Sequence, residues 1–206
     1  MITTKKVNKW GVKLNLRDKI IQSSLDLFST EGYHAVSVNK IVSVANTSKG
    51  GFYHHFSSKN EVLFEIHDVF ITYALKKARE ADKLNKTPTK RLIKILDEFV
   101  HVFDLYQAHL SVFYQEAFNL DDEYEKIIKE KRNAFKSIIS SVLYDGIKAG
   151  EFRQDLNIDL TTMAILGMVN WMYKWYNPNG KNTISEISNF YIDFIMHSVL
   201  VDVKTL

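Results

Sequence analysis

Between Asn46 and Val62 the chain reads NTSKGGFYHHFSSKNEV, with two glycines, two histidines, two lysines and several aromatics in one short polar stretch. Three chemistries suit such a mixture. Paired histidines could hold a metal, a double glycine could cradle a phosphate, and lysines among aromatics could grip nucleic acid. Adjacent residues on a helix point about 100° apart, so His54 and His55 do not readily chelate one ion. The glycines lack the spacing and the preceding strand of a nucleotide loop. Nucleic acid remains, and charge placement agrees. Residues 1–60 hold nine Lys/Arg against three Asp/Glu, hence +6, whereas residues 61–206 hold 18 against 21, hence −3. A basic head on a mildly acidic body points to a polyanion partner for the head, with a solvated lysine tail as the alternative.

The elements that must position this stretch all read as helices. From Arg17, apolar Ile20, Ile21, Leu25, Leu27 and Phe28 follow helical spacing, and Glu31-Gly32 supplies a stop. Ser37 caps a short second helix with Val38, Ile41, Val42 and Ala45 inward. Asn46 follows, a residue that tolerates the left-handed conformation of a tight turn. A third short helix runs from about Ser48 to His55, and a fourth starts near Lys59 and continues through Leu75. Pro88 opens a fifth helix. A sixth spans roughly 108–118, a seventh 121–150 and an eighth 158–176. The eighth is apolar all round and is therefore expected to be buried on several sides. After the turn NPNGKNT, a ninth helix carries Ile187, Phe190, Tyr191, Phe194, Ile195 and Val201. The expectation is an all-α protein of about nine helices. Residues 1–60 form a three-helix helix-turn-helix head with a basic arm, and residues 61–206 form a larger helical body.

Residues 37–55, as helix, tight turn and short helix, form a helix-turn-helix unit. Its second helix enters the DNA major groove, so its outer face wants small or polar groups. Ser48, Lys49, Gly50 and Gly51 supply them, and bare glycines let backbone N–H groups approach phosphate. Phe52 and Phe56 face inward, leaving Tyr53 and His54 for the sugar-phosphate edge or for packing between helices. Lys59 is placed for a further phosphate. From Arg17 to about Leu63 the sequence resembles the TetR family of bacterial repressors. The aromatic after Glu-Gly, Ser37 opening the second helix, SKG, FYHHF and the following Ser-Lys all stand at family spacing. Asn46 replaces a usual Gly, and Gly51 stands where Thr or Ser is common, which removes one habitual side-chain contact to DNA.

That resemblance implies a dimer joined through the last two helices, a palindromic double-stranded operator, and a body with a small-molecule pocket. YQEAFNLDDEYEKIIKEKRNAFKSII, GIKAGEFR and GMVNWMYKWYNPNGKNTISEI resemble a branch of the family responsive to acyl-CoA thioesters. The resemblance implies a long apolar slot with a basic mouth, lined by Phe103, Tyr106, Phe113, Trp171 and Trp175. From the residues themselves, the eighth and ninth helices carry more apolar surface than one core needs. Arg132 falls on an apolar helix face with Ile128, Phe135, Ile139 and Val142. A buried guanidinium there needs a partner, either an internal carboxylate such as Glu116 or Asp104, or an anionic ligand.

Cysteine is absent, which removes disulfides, thiol nucleophiles and thiolate metal sites and suits a cytoplasmic setting. No apolar run follows the N-terminal lysines, unlike a signal peptide, and the apolar stretch from Met163 to Tyr176 is too short to span a bilayer. His101 and His109 invite a metal or catalytic reading, but His101 falls opposite Leu96, Phe99 and Phe103 and reads as a solvated-face residue. No nucleophile, base or metal set stands at defensible spacing, so the expectation is a regulator with no cofactor and no metal. The alternatives are an enzyme built from residues distant in sequence and an architectural DNA-binding module without a ligand.

Overall fold

The computed structural model describes residues 15–201. The arm lysines Lys5, Lys6, Lys9 and Lys13 lie outside the described residues. Among the described residues there are ten α-helices, one short 3₁₀ turn and no β-strand. The head comprises α1 (Leu16–Glu31), α2 (Val38–Val44) and α3 (Lys49–His55), and α4 (Lys59–Leu84) leads into the body. Then come α5 (Pro88–Leu105), α6 (Gln107–Glu116), the 3₁₀ turn (Ala117–Asn119), α7 (Asp122–Lys148), α8 (Ile158–Asn170), α9 (Met172–Trp175) and α10 (Ile184–Val199).

Local chemistry sets the helix starts. Asn15 caps α1 in a capping box with Asp18, and Ser37, Ser48, Ser58 and Thr87 cap α2 to α5 through their side-chain oxygens. Pro88 stands in the first turn of α5, where its missing N–H is not needed. The stretch read as one eighth helix breaks at Trp171, leaving α9 as a single turn beyond it. That break accounts for the tenth helix. The expected burial of this stretch on several sides also fails in the single chain. On α8 only Thr162, Ile165 and Val169 are buried, whereas Leu160 is 68 % and Met163 52 % exposed.

Two apolar cores result. One joins Ile20, Phe28, Ile41, Phe52, Phe56, Leu63 and Ile66, with Val112 of α6. The other begins at Phe70 of α4 and runs through α5, α6, α7, α8 and α10. The change from one core to the other falls between Ile66 and Phe70, inside a single helix. α4 packs on α5, α6 and α7, and α10 packs on α5. The motif GIKAGEFR locks the C-terminal end of this assembly. A Cβ on Gly146 would stand 2.0 Å from the Phe152 ring, and Gly150 has φ +72°. The chain therefore turns tightly, seats Phe152 on α7, and lets Arg153 N–H donate to Val199 O at 2.9 Å.

Candidate functional site

α2 and α3 meet through a turn in which Asn46 has φ 53°, the left-handed region that asparagine tolerates. Phe52 and Phe56 are fully buried, with ring centroids 5.8 Å apart. Their burial fixes which side of α3 faces out. Ser48, Lys49, Gly50, Tyr53 and His54 are all exposed there. Ser37 and Ser48 accept from the N–H groups of Lys40 and Gly51 at 3.3 and 3.0 Å. Each hydroxyl keeps its proton to donate outward. A Cβ on Gly50 would meet nothing nearer than Ser48 Oγ at 3.6 Å, so this outer surface is bare without being crowded. Gly51 differs. It is half-buried, and a Cβ there would stand 2.5 Å from Thr47 Oγ1, so it serves a close contact inside the turn.

Lys59 has a structural role that the sequence does not show. Its Nζ donates to the carbonyls of Tyr33 and Val36, each at 2.8 Å, and lies 3.9 Å from the Tyr33 ring centroid. Burial holds its pKa below the usual lysine value. Two of its three donors thus tie the loop before α2 to the start of α4. Arg17 pairs with Glu65 at 2.6 Å, and Lys40 pairs with Glu31. Lys49 keeps its ammonium without an ion pair or hydrogen bond among the described residues.

A polar lattice joins this head to the end of α6. Tyr33 N–H donates to Glu116 Oε1 at 3.1 Å, and His34 Nε2 meets Asn119 Oδ1 at 2.7 Å. Asn119 Nδ2 donates to Glu116 Oε2 at 2.7 Å. Buried Asn60 bridges the two sides. Its Nδ2 donates to Asn119 O at 2.6 Å and to Tyr33 Oη at 3.2 Å, and its Oδ1 accepts from Asp121 N–H at 3.0 Å. Each buried polar group is matched, so α6 cannot shift without disturbing contacts that begin in the head.

Above the lattice the body encloses a cavity of about 520 Å³, among α4, α5, α6, α7 and α8. Its apolar wall includes Phe70, Ile71, Phe99, Phe103, Phe113 and Leu166, and its polar groups are Tyr114, Arg132, Asn133, Lys136 and Asn170. Phe103, Phe113 and Arg132 of the sequence-derived set are thus brought together. Tyr106, Trp171 and Trp175 are not. Tyr106 packs on Tyr73 and His109, Trp171 is 58 % exposed, and Trp175 lies beside α10 with Phe190 and Tyr191. Both indoles lie beyond the end of α8, outside the cavity wall.

Arg132 also differs from expectation. It is exposed rather than buried, so no internal carboxylate is required to neutralise it. Glu116 belongs to the lattice, and Asp104 Oδ1 accepts from Tyr176 Oη at 2.6 Å. The guanidinium stands at the cavity mouth with no hydrogen bond or ion pair among the described residues. Close by, burial pushes the Tyr114 hydroxyl up to about 12 despite the Arg132 charge, and its ring stacks on Tyr173 at 3.9 Å. Lys136 was readable in the sequence, because it follows Arg132 by four residues and so shares its helix face. His67 was readable too. It sits among Leu63, Ile66, Phe70 and Ile71 as Arg132 sits among its apolar neighbours, and it is fully buried. Burial alone pulls its pKa down to about 3. Among the described residues no cluster of His, Asp or Glu could hold a metal, and no helix is long and apolar enough to cross a membrane.

A third surface is apolar and uncovered. Leu160 and Met163 on α8, Trp171 and Trp175 beyond it, and Phe190 and Phe194 on α10 are between 45 % and 68 % exposed. Trp175 and Phe190 line one hollow there, and exposed apolar surface of this kind marks an interaction site.

Residues 20–66 match the family described as "Bacterial regulatory proteins, tetR family". Residues 85–199, more than half the chain, match "Tetracyclin repressor-like, C-terminal domain". The HTH-type transcriptional repressor KstR2 of Mycobacterium tuberculosis is 24 % identical over 184 residues, covering 89 % of this chain and 92 % of that protein. Its solved structure superposes with a TM-score of 0.83 at 23 % identity, over 96 % of this chain and 98 % of that one. The fatty acid metabolism regulator protein of Bacillus subtilis is 22 % identical over 184 residues, covering 88 % of this chain and 94 % of its own length. The structure of AibR in complex with isovaleryl coenzyme A and operator DNA matches with a TM-score of 0.76 at 19 % identity, over 87 % and 97 % of the two chains.

Proposed function

The chain belongs to the TetR family of bacterial regulators, and from that premise we propose that it represses transcription until a small amphipathic anion releases it from DNA. Residues 1–60 read a palindromic double-stranded operator, and residues 61–206 sense the effector and join two copies. The outer face of α3 supports the first part. Ser48, Lys49, Gly50, Tyr53 and His54 present small, polar and cationic groups on one exposed side. Ser37 adds a hydroxyl at the start of α2, and Gly51 keeps the turn tight. Lys59 holds the loop of the head with two of its donors and keeps its positive charge for phosphate, beside Lys49 and the arm lysines. The uncovered faces of α8 and α10 suit a four-helix contact between two copies, which would set two reading heads a fixed distance apart.

One observation carries the effector reading: an apolar cavity whose mouth holds Arg132 and Lys136 with no internal counter-charge. Such a site suits an acyl group inside and phosphates outside, as in an acyl-CoA. The co-crystallised isovaleryl coenzyme A of AibR, a protein of the same fold, favours that chemistry. An enzyme reading gains no support, because the cavity presents no paired acid, base and nucleophile. Release requires that the ligand prefer one state. Shifting a population from 99:1 to 1:99 takes a preference of about 5.5 kcal/mol. Burying roughly seven methylenes, at about 0.8 kcal/mol each, supplies that if the cavity is open in only one state. The signal has a physical route, since α6 lines the cavity through Leu110, Phe113 and Tyr114 and ends in the Glu116–Asn119 lattice that holds Tyr33 and Asn60.

The test uses Arg132→Met and Lys136→Met. Both side chains stand on α7, away from the proposed dimer contact, and neither has a hydrogen bond or ion pair among the described residues, so both variants fold. Each removes one cation from the cavity mouth. In band-shift assays with decanoyl-CoA, both bind DNA as the wild type does, and both need at least about tenfold more ligand for release. Unchanged release by both variants refutes the cavity as the effector site.

A further inference from the structure

His67 is fully buried, and neither of its ring nitrogens has a hydrogen-bond partner. A neutral imidazole offers one donor and one acceptor, and leaving both unpaired in a dry interior is unfavourable. The residue's position is specific. Phe70 and Ile71, three and four positions further along α4, line the cavity. The His67 ring stands edge-on to Phe113, with centroids 4.9 Å apart at 68°. Phe70 meets the same Phe113 ring at 4.9 Å and 78°. Phe113 is itself cavity wall, so the unpaired imidazole packs against a ring that also faces the space a ligand would fill.

We infer that His67 is a concealed ligand contact, which hydrogen-bonds an oxygen on the buried, uncharged part of the effector once Phe113 turns aside. The inference rests on the cavity being the effector site and narrows the effector class. Plain hydrocarbon offers nothing to either nitrogen. A hydroxyl serves as donor or acceptor, and a carbonyl accepts from the ring N–H, so the favoured ligand is an acyl-CoA with a hydroxy- or oxo-substituted acyl group. The place of the contact also matters. Ile66, beside His67, and Val112, beside Phe113, both belong to the head core. A ligand that turns Phe113 therefore acts on backbone that the head core holds.

The experiment measures release of bound duplex DNA by decanoyl-CoA, 3-hydroxydecanoyl-CoA and 10-hydroxydecanoyl-CoA, the two hydroxyl positions covering both ends of the acyl chain. Wild-type protein is compared with His67→Phe, which keeps a flat ring but cannot hydrogen-bond, and His67→Gln, which keeps a donor and an acceptor. At least one hydroxylated probe is expected to act at about tenfold lower concentration than decanoyl-CoA, the size of one buried hydrogen bond. His67→Phe removes that advantage and leaves the decanoyl-CoA response unchanged, and His67→Gln retains part of it. If decanoyl-CoA releases DNA but no hydroxylated probe does better, or the advantage survives His67→Phe, the contact is refuted while the effector site stands. If none of the three releases DNA, the effector reading falls and the His67 contact falls with it.

Discussion

Acid unfolding of the wild type against His67→Phe and His67→Leu isolates the one buried histidine. In the folded protein, burial pulls the His67 pKa down to about 3, whereas an unfolded histidine titrates near about 6.5. Above that unfolded value both states are neutral at this ring, and His67 adds no pH dependence. As pH falls below it, the unfolded chain binds a proton that the folded chain refuses, so stability falls with falling pH until the folded pKa is reached. The slope approaches about 1.4 kcal/mol per pH unit for one proton. Between pH 7.0 and pH 4.5 the wild type should therefore lose about 2–3 kcal/mol more than either variant. The carboxylates common to all three proteins cancel in that comparison. Urea unfolding followed by circular dichroism, at one fixed protein concentration, gives each stability by linear extrapolation. A fixed offset between wild type and variants at pH 7.0 reports packing and is irrelevant. Parallel stability losses in all three proteins would refute the reasoning, because His67 would then accept its proton in the folded state. The ring would have a partner or water beside it, and its availability to a ligand would go as well.

Phe194→Glu places a charge on the exposed apolar face of α10, and sedimentation should give dimers for the wild type and monomers for the variant; a monomeric wild type at micromolar concentration refutes the interface. Gly50→Leu adds bulk where nothing lies within 3.6 Å, so its melting temperature should stay at or above the wild-type value while DNA binding is lost in an anisotropy assay. Retained binding would remove the outer face of α3 from the reading surface. Gly146→Ala drives a methyl into the Phe152 ring and should cost about 1–3 kcal/mol in urea unfolding; a neutral result would mean that Phe152 can leave α7 freely.

Much of the head was legible in the chain because its signals are local. Ser37 and Ser48 announce helix starts, Asn46 announces a left-handed turn, and Phe52 with Phe56 decides which side of α3 is buried. The loop contacts of Lys59 were not legible, for the opposite reason. Its partners, the carbonyls of Tyr33 and Val36, are backbone groups more than twenty residues away, and no side-chain pattern reveals them. In the body, the slot implied by the family resemblance correctly included Phe103 and Phe113. Helical periodicity misjudged the burial of Arg132, because a helix wheel shows which face a residue shares but not whether a cavity opens there. Trp171 and Trp175 were misplaced because the break after Asn170 carries no Gly or Pro. The lattice through Asn60, Glu116 and Asn119 spans 59 residues of sequence between Asn60 and Asn119 and emerges only from the packing of α6 against the head.

The central claim is that one molecule both holds a palindromic duplex and lets it go when the cavity fills. A labelled duplex selected by the protein from a random pool, bound and then titrated with decanoyl-CoA, tests it in a single anisotropy curve. The expected result is a saturable fall to the anisotropy of free DNA in the wild type, and the same fall displaced to at least about tenfold higher concentration in Arg132→Met. A flat wild-type curve, or an unshifted fall in Arg132→Met, would contradict it.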